Sequence, residues 1–198
     1  MHMNTAQPIR STEDLEKLKK YYKEVAPNKR NQLLIIMGLN TALRISDILA
    51  LRWDAVYDFD KKEFRTHIVL TEQKTGKTST IYINKNIQKS LKSYKEHLRG
   101  HKKSARRYQY IFRHKNKNIP ISRIQAFRII KEAADYSNIP GTICCHSLRK
   151  TFGYHAWKQG ASPVVLMNIF NHSSYQITKR YLGIEQDDRD MIFEQIVL

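Results

Sequence analysis

Cysteine is scarce here. The only two, Cys144 and Cys145, are adjacent, which gives neither a disulfide framework nor the spaced Cys/His pairs of a structural zinc site. A reducing cytoplasm is the expected setting. Long hydrophobic runs are missing too: the longest, Leu33 to Leu39, is far short of the ~20 residues a bilayer span needs, and Met1 to Gln7 has no apolar signal core. With only seven glycines and five prolines in 198 residues, an all-β chain is disfavoured and helices are expected to dominate. No internal repeat or low-complexity stretch occurs. Gly76-Lys77-Thr78 resembles the end of a P-loop, but the first glycine of that motif would stand at Thr71, and a strand rather than a helix follows. Convergent carboxylates of a metal-dependent nuclease are not apparent outside the acidic C-terminus, so no metal or other cofactor is expected.

Acid is in short supply as well. Eighteen Asp and Glu face 35 Lys and Arg, a formal net charge of +17. The remaining composition, 41% hydrophobic and 27% charged, is that of an ordinary globular chain, so the charge belongs to a folded protein. Clustered Lys and Arg gain affinity by displacing counterions from phosphates, which favours nucleic acid as partner over a membrane surface or a merely basic solubility profile. Residues 85 to 117 concentrate the effect, with twelve Lys or Arg and a single acid, Glu96. From this stretch Lys102, Lys103, Arg106 and Arg107 are candidate DNA contacts, joined by Lys77, Lys150 and Arg180.

Periodicity predicts an α+β, mostly helical domain with a small antiparallel hairpin at one edge. Ser11 and Thr12 before Glu13 and Asp14 signal a helix start, continued at helical spacing by Leu15, Leu18, Tyr21 and Tyr22 to about Val25. A buried helix is expected over Asn31 to Thr41 and another from Ser46, leaving Arg44 between them. The β-branched segments Thr66 to Leu70 and Thr78 to Ile83 read as a hairpin around a polar tip at Glu72 to Lys77. Further helices are expected around Ile87 to Leu98, Ser122 to Tyr136, His146 to Gln159, Ser162 to Phe170, Ser174 to Tyr181 and Glu185 to Val197. The expected organisation is a disordered segment over 1–10, one domain over 11–184, and an acidic amphipathic tail over 185–198 that covers its own surface or docks on a neighbour.

At ~100° per residue, His146, Arg149 and Gly153 fall within about 60° of one another on a helix face, an imidazole and a guanidinium beside a glycine that leaves room for close approach. A lone His-x-x-Arg says little. What strengthens it is the ordered company of Arg44 in Thr41-Ala42-Leu43-Arg44-Ile45-Ser46-Asp47, then His172, then Tyr181 nine residues later. This set resembles the catalytic domain of the tyrosine recombinase (phage integrase) family, over roughly Ser11 to Val197. The family pattern is an Arg in a T-G-L-R-x-S-E/D stretch, a hairpin Lys, H-x-x-R, then His or Trp, then Tyr. Ala42 and Asn171 stand where the family usually has Gly. No length exists ahead of Ser11 for the N-terminal clamp domain that members commonly carry, so the chain is expected to be a naturally short recombinase or a catalytic portion.

The resemblance implies a site-specific recombinase that cuts and rejoins duplex DNA without metal or ATP through a 3′-phosphotyrosyl link to Tyr181. Arg44 and Arg149 would neutralise charge on the phosphorus and His172 would add a donor, roles suited to bidentate guanidinium groups. His146 would take a proton, because a phenol of pKa ~10 is a poor nucleophile at neutral pH. Lys74 would protonate the departing 5′-oxygen, with Lys77 as rival, and Asp47 would orient neighbouring basic groups. Partners would be double-stranded DNA carrying recombination sites and further copies of the chain, as a tetramer formed through Glu185 to Leu198. The competing readings are a non-cleaving DNA-binding regulator on the same fold and a type IB topoisomerase-like relaxing enzyme.

Overall fold

A computed structural model describes residues 6–100 and 105–196. Polar side chains start the helices where the sequence supplies them. Ser11 caps α1 (Thr12–Lys20), Asn28 caps α2 (Lys29–Thr41), and Ser122 caps α5 (Arg123–Tyr136), each side-chain oxygen accepting a backbone N–H three residues on. The first helix continues as a wider π-turn over Tyr21–Val25 before Pro27. After α2 come α3 (Ile45–Ala50), a 3-10 turn (Trp53–Ala55), and α4 (Lys85–Gly100). Then follow α6 (Cys145–Lys158), α7 (Pro163–Phe170), α8 (Tyr175–Leu182) and α9 (Glu185–Gln195).

The main core forms around α2, whose Leu33, Leu34, Ile35, Ile36 and Met37 are all buried, so this helix runs through the interior rather than along a face. It packs against α4 on one side and α6 on the other. Gly38 permits the second crossing: a Cβ there would lie 2.6 Å from Leu148 Cδ1. A smaller cluster of Tyr154, Leu166, Phe170, Leu182 and Ile184 joins α6, α7 and α8, with Ala42 and Tyr181 against it. The cleft described below lies where these two bodies meet.

The expected hairpin is β3 (His67–Thr71) with β4 (Thr78–Tyr82), antiparallel and paired from His67 with Tyr82 to Thr71 with Thr78. A second, two-residue hairpin, β1 (Tyr57–Asp58) with β2 (Glu63–Phe64), lacks the alternating pattern that would announce it. Of the segment expected to be disordered over 1–10, residues 1–5 lie outside those described, and residues 6–10 are held in place. Ile9 is buried, its N–H donates to Thr151 Oγ1 at 2.8 Å, and its carbonyl pairs with His155 Nε2 at 3.0 Å. One apolar residue with a pocket to fill fixes the segment to α6. Among the described residues no helix is long and apolar enough to cross a membrane.

Candidate active site

Two left-handed residues shape the cleft. Ala42 (φ 54°) ends α2 and turns the chain so that Arg44 becomes the N-cap residue of α3. Asn171 (φ 55°) ends α7 and presents His172. These are the positions where the family pattern has Gly, and such backbone favours Gly or Asn.

From α6, Arg149 reaches into the cleft and is buried. Its Nη1 donates to the Ala42 carbonyl and its Nη2 to the Phe170 carbonyl at 3.3 Å, while the guanidinium carbon sits 4.9 Å from the Phe170 ring centroid. The guanidinium thus ties both left-handed turns together. Its charge also bears on the Tyr181 hydroxyl. Burial pushes the phenol above its ordinary pKa, against the pull of Arg149 and Arg44, so Tyr181 keeps its proton at neutral pH.

His172 stacks on Phe170 (5.6 Å between centroids) and meets Tyr181 edge-on at 5.1 Å. Its Nδ1 lies 3.1 Å from Oγ1 of the fully buried Thr178, which fixes the ring. Lys150 Nζ lies 5.1 Å from the centroid of the Tyr181 ring. His146 stands exposed at the rim. Desolvation of its inner edge, then Arg149, Lys150, Arg44 and Lys74, lower its pKa; burial, Arg149 and Arg44 do the same to His172. Both imidazoles are therefore neutral at pH 7.

The hairpin closes the cleft. Lys74 is exposed on the 73–75 turn, near enough to His146 to affect its charge, whereas Lys77 lines an adjoining groove of about 490 Å³ with Ala42, Glu72, Tyr82 and Asn171. Asp47 does not orient a basic group: its Oδ1 accepts the Gln73 N–H at 3.0 Å and so anchors the turn. The residue that does is Glu72, unremarked in the sequence. Buried, it pairs with Arg44 and accepts from Ser79 Oγ at 2.6 Å, Asn171 Nδ2 at 3.2 Å and Thr75 Oγ1 at 3.3 Å. Burial works to raise its pKa, but the hydrogen bonds from Ser79 and Arg44 and the Arg44 charge hold it below the ordinary value. One carboxylate thereby connects α3, the hairpin and the turn before His172. Glu72 and Thr178 went unread because a single Glu or Thr has no spacing signature; the only available signal was an acid beside the cationic hairpin tip.

Gly153 corrects another expectation. It does not open the α6 face to a ligand; a Cβ there would lie 2.5 Å from Leu182 Cδ2 and 2.6 Å from Phe170 Cζ, so the glycine admits α7 and α8 against α6. Of the expected DNA contacts, Lys102 and Lys103 lie outside the described residues. Arg106 is exposed, Arg107 donates to Asp60 Oδ1, and Arg180 stands 4.0 Å from Glu185.

A profile of the phage integrase family matches residues 11–187. The chain is 42% identical over 185 residues to the probable integrase/recombinase YoeC of Bacillus subtilis, covering 93% of each. It is 27% identical to the tyrosine recombinase XerD of Mycobacterium leprae, of which it spans about half (47%). Among solved structures, the XerA recombinase superposes with a TM-score of 0.74 at 16% identity, over 98% of this chain and 66% of that one. The XerH site-specific recombinase, bound to a palindromic difH substrate in a post-cleavage complex, gives 0.73 at 15% identity, over 97% and 54%. At such identities these two likenesses speak to the fold, and the family rests on the profile and the Bacillus relative: the chain belongs to the tyrosine recombinase (phage integrase) family.

Proposed function

We propose that this protein is a site-specific DNA recombinase that cleaves and rejoins duplex DNA through Tyr181. The observation that carries the reading is the phenol of Tyr181, set against His172 at 5.1 Å and Lys150 Nζ at 5.1 Å and within the field of Arg149 and Arg44. Arg44 and Arg149 engage the nonbridging oxygens of the scissile phosphate and offset the charge that builds on a pentavalent phosphorus. The phenol oxygen attacks that phosphorus, forming the O–P bond while the P–O5′ bond breaks. Its proton passes to neutral His146, Lys74 protonates the departing 5′-oxygen, and His172 donates to the phosphate. The link is an ester of comparable energy, so a 5′-hydroxyl from another strand can reverse it.

Two further features support DNA and further copies of the chain as partners: the charge of +17, and the apolar side chains of α9, of which Ile192 is 58% and Phe193 80% exposed. The segment Glu185 to Leu198 is read as the contact between protomers on DNA; residues 197–198 lie outside those described.

The test is incubation with a nicked half-site duplex followed by denaturing electrophoresis. A covalent protein–DNA adduct is expected, and Tyr181→Phe is expected to abolish it while leaving DNA affinity within about twofold, since the change removes one hydroxyl. Tight binding without an adduct in the unaltered protein overturns the reading in favour of a non-cleaving regulator.

A further inference from the structure

Helix α2 begins beside a cavity that the recombination reading leaves unused. About 380 Å³ in volume, it lies between the first turn of α2, the C-terminal turns of α4 and the segment around residue 113. Arg30, Arg113, His114, Lys115 and His97 line it together with Tyr94. Among the described residues no carboxylate lines it.

Arg30 is the anomaly. Its Nε and Nη2 donate to Asn31 Oδ1 at 3.3 and 3.1 Å and its Nη1 to the Arg113 carbonyl at 3.0 Å. These acceptors are neutral, and of the five guanidinium N–H groups two remain. Partial burial draws its pKa down and the tyrosines Tyr94 and Tyr22 oppose the shift. Arg30 is half-buried, and it, Arg113 and Lys115 gather around one cavity whose lining, among the described residues, offers no carboxylate to offset their mutual repulsion. An anion with several oxygens resolves this: a tetrahedral phosphate accepts from a guanidinium fork and from the cations around it, and the first turn of a helix favours the same charge.

We propose that this cavity is a phosphate-binding site, separate from the cleft at Tyr181. The separation follows from α2: twelve rises of ~1.5 Å put roughly 18 Å between its ends, with Arg30 at one and Arg44 beyond the other. That is about five base-pair steps of ~3.4 Å. The phosphate can come from the backbone of a duplex engaged at Arg44 or from a free phosphate compound. Only the first source rests on the DNA reading.

The experiment compares the full chain with Arg113→Gln/Lys115→Gln. Inorganic pyrophosphate is expected to raise the melting temperature of the unaltered chain more than that of the double variant. Equal shifts, or no shift in the unaltered chain, overturn the site. Arg30→Gln supplies a second reading if circular dichroism reports it folded, with the same expected loss. Salt titrations of duplex binding then identify the source. A slope of log K against log salt smaller by about 0.9 in the double variant assigns the cavity to a backbone phosphate, and an unchanged slope alongside the pyrophosphate shift assigns it to a free one. Failure of recombination is read separately, from the Tyr181 adduct, which involves none of these residues.

Discussion

At Glu72, one buried carboxylate receives four donors from three elements, and removing its charge tests whether those elements act together. Glu72→Gln keeps the shape but leaves Arg44 without its counter-ion and replaces one accepting oxygen with an NH2 donor that faces other donors. The expected outcome is a single-turnover cleavage rate lower by ~10²-fold, comparable to loss of one positioned donor, with DNA affinity changed far less. A variant cleaving at the unaltered rate means that Arg44 is positioned by α3 alone. His146 gives a pH dependence of definite sign. Its pKa in the folded protein lies below 6.5, so it accepts a proton at pH 7 and loses that capacity as acidity rises. Cleavage is expected to fall as pH drops through a value below 6.5. Stability falls in the same direction, because between the folded and unfolded pKa values the unfolded chain binds more protons. A single-turnover rate in His146→Gln equal to that of the unaltered chain excludes His146 as the acceptor. Arg44, His146, Arg149, His172 and Tyr181 were legible as an ordered set of residue types; Thr178 and Arg30 were not, because a single Thr or Arg has no spacing signature, and Glu72 was not, because what distinguishes it is burial against partners remote in sequence.

Among the elements, α6 shows how packing decides what a motif means. Its periodicity gave the helix and the shared face of His146 and Arg149, but the same pattern suggested an open face at Gly153. Leu182 and Phe170 occupy that space. Gly153→Ala gains about 1 kcal/mol of helix propensity, yet its Cβ overlaps two fully buried side chains that have little room to yield. A net destabilisation of about 1–2 kcal/mol is expected by thermal melting, with a loss of cleavage because α8 carries Tyr181 away from Arg149. A more stable variant with full activity shows that α7 and α8 yield at no cost. Capped, periodic elements such as α2 and α5 were readable within a few residues. Elements fixed by distant partners were not: the β1–β2 hairpin and the strap at residues 6–10 are held by packing and hydrogen bonds whose partners lie far along the chain or carry no local pattern.

For the whole molecule, a surplus of cations draws phosphate while an acidic terminal helix stands apart from it. That helix is joined to the body by Arg10, which donates to the Gly183 carbonyl at 2.6 Å and to Asp187 at 3.0 Å, and its apolar residues Ile192, Phe193 and Ile196 remain exposed. Such side chains in water lose nothing by finding a surface on another protomer, with a gain of roughly 1.5–3 kcal/mol for each one buried. Deleting the chain from Asp187 onward is expected to impair synapsis more than DNA binding, but it also frees Arg10 and so disturbs the turn two residues after Tyr181. Phe193→Ser separates the two effects. It leaves the Arg10 contacts in place, and it is expected to retain half-site binding and adduct formation while lowering the fraction of higher-order protein–DNA complexes in native gels or light scattering. If Phe193→Ser assembles as fully as the unaltered chain while the deletion does not, the tail acts within its own protomer, by bracing α8, and protomers meet through another surface.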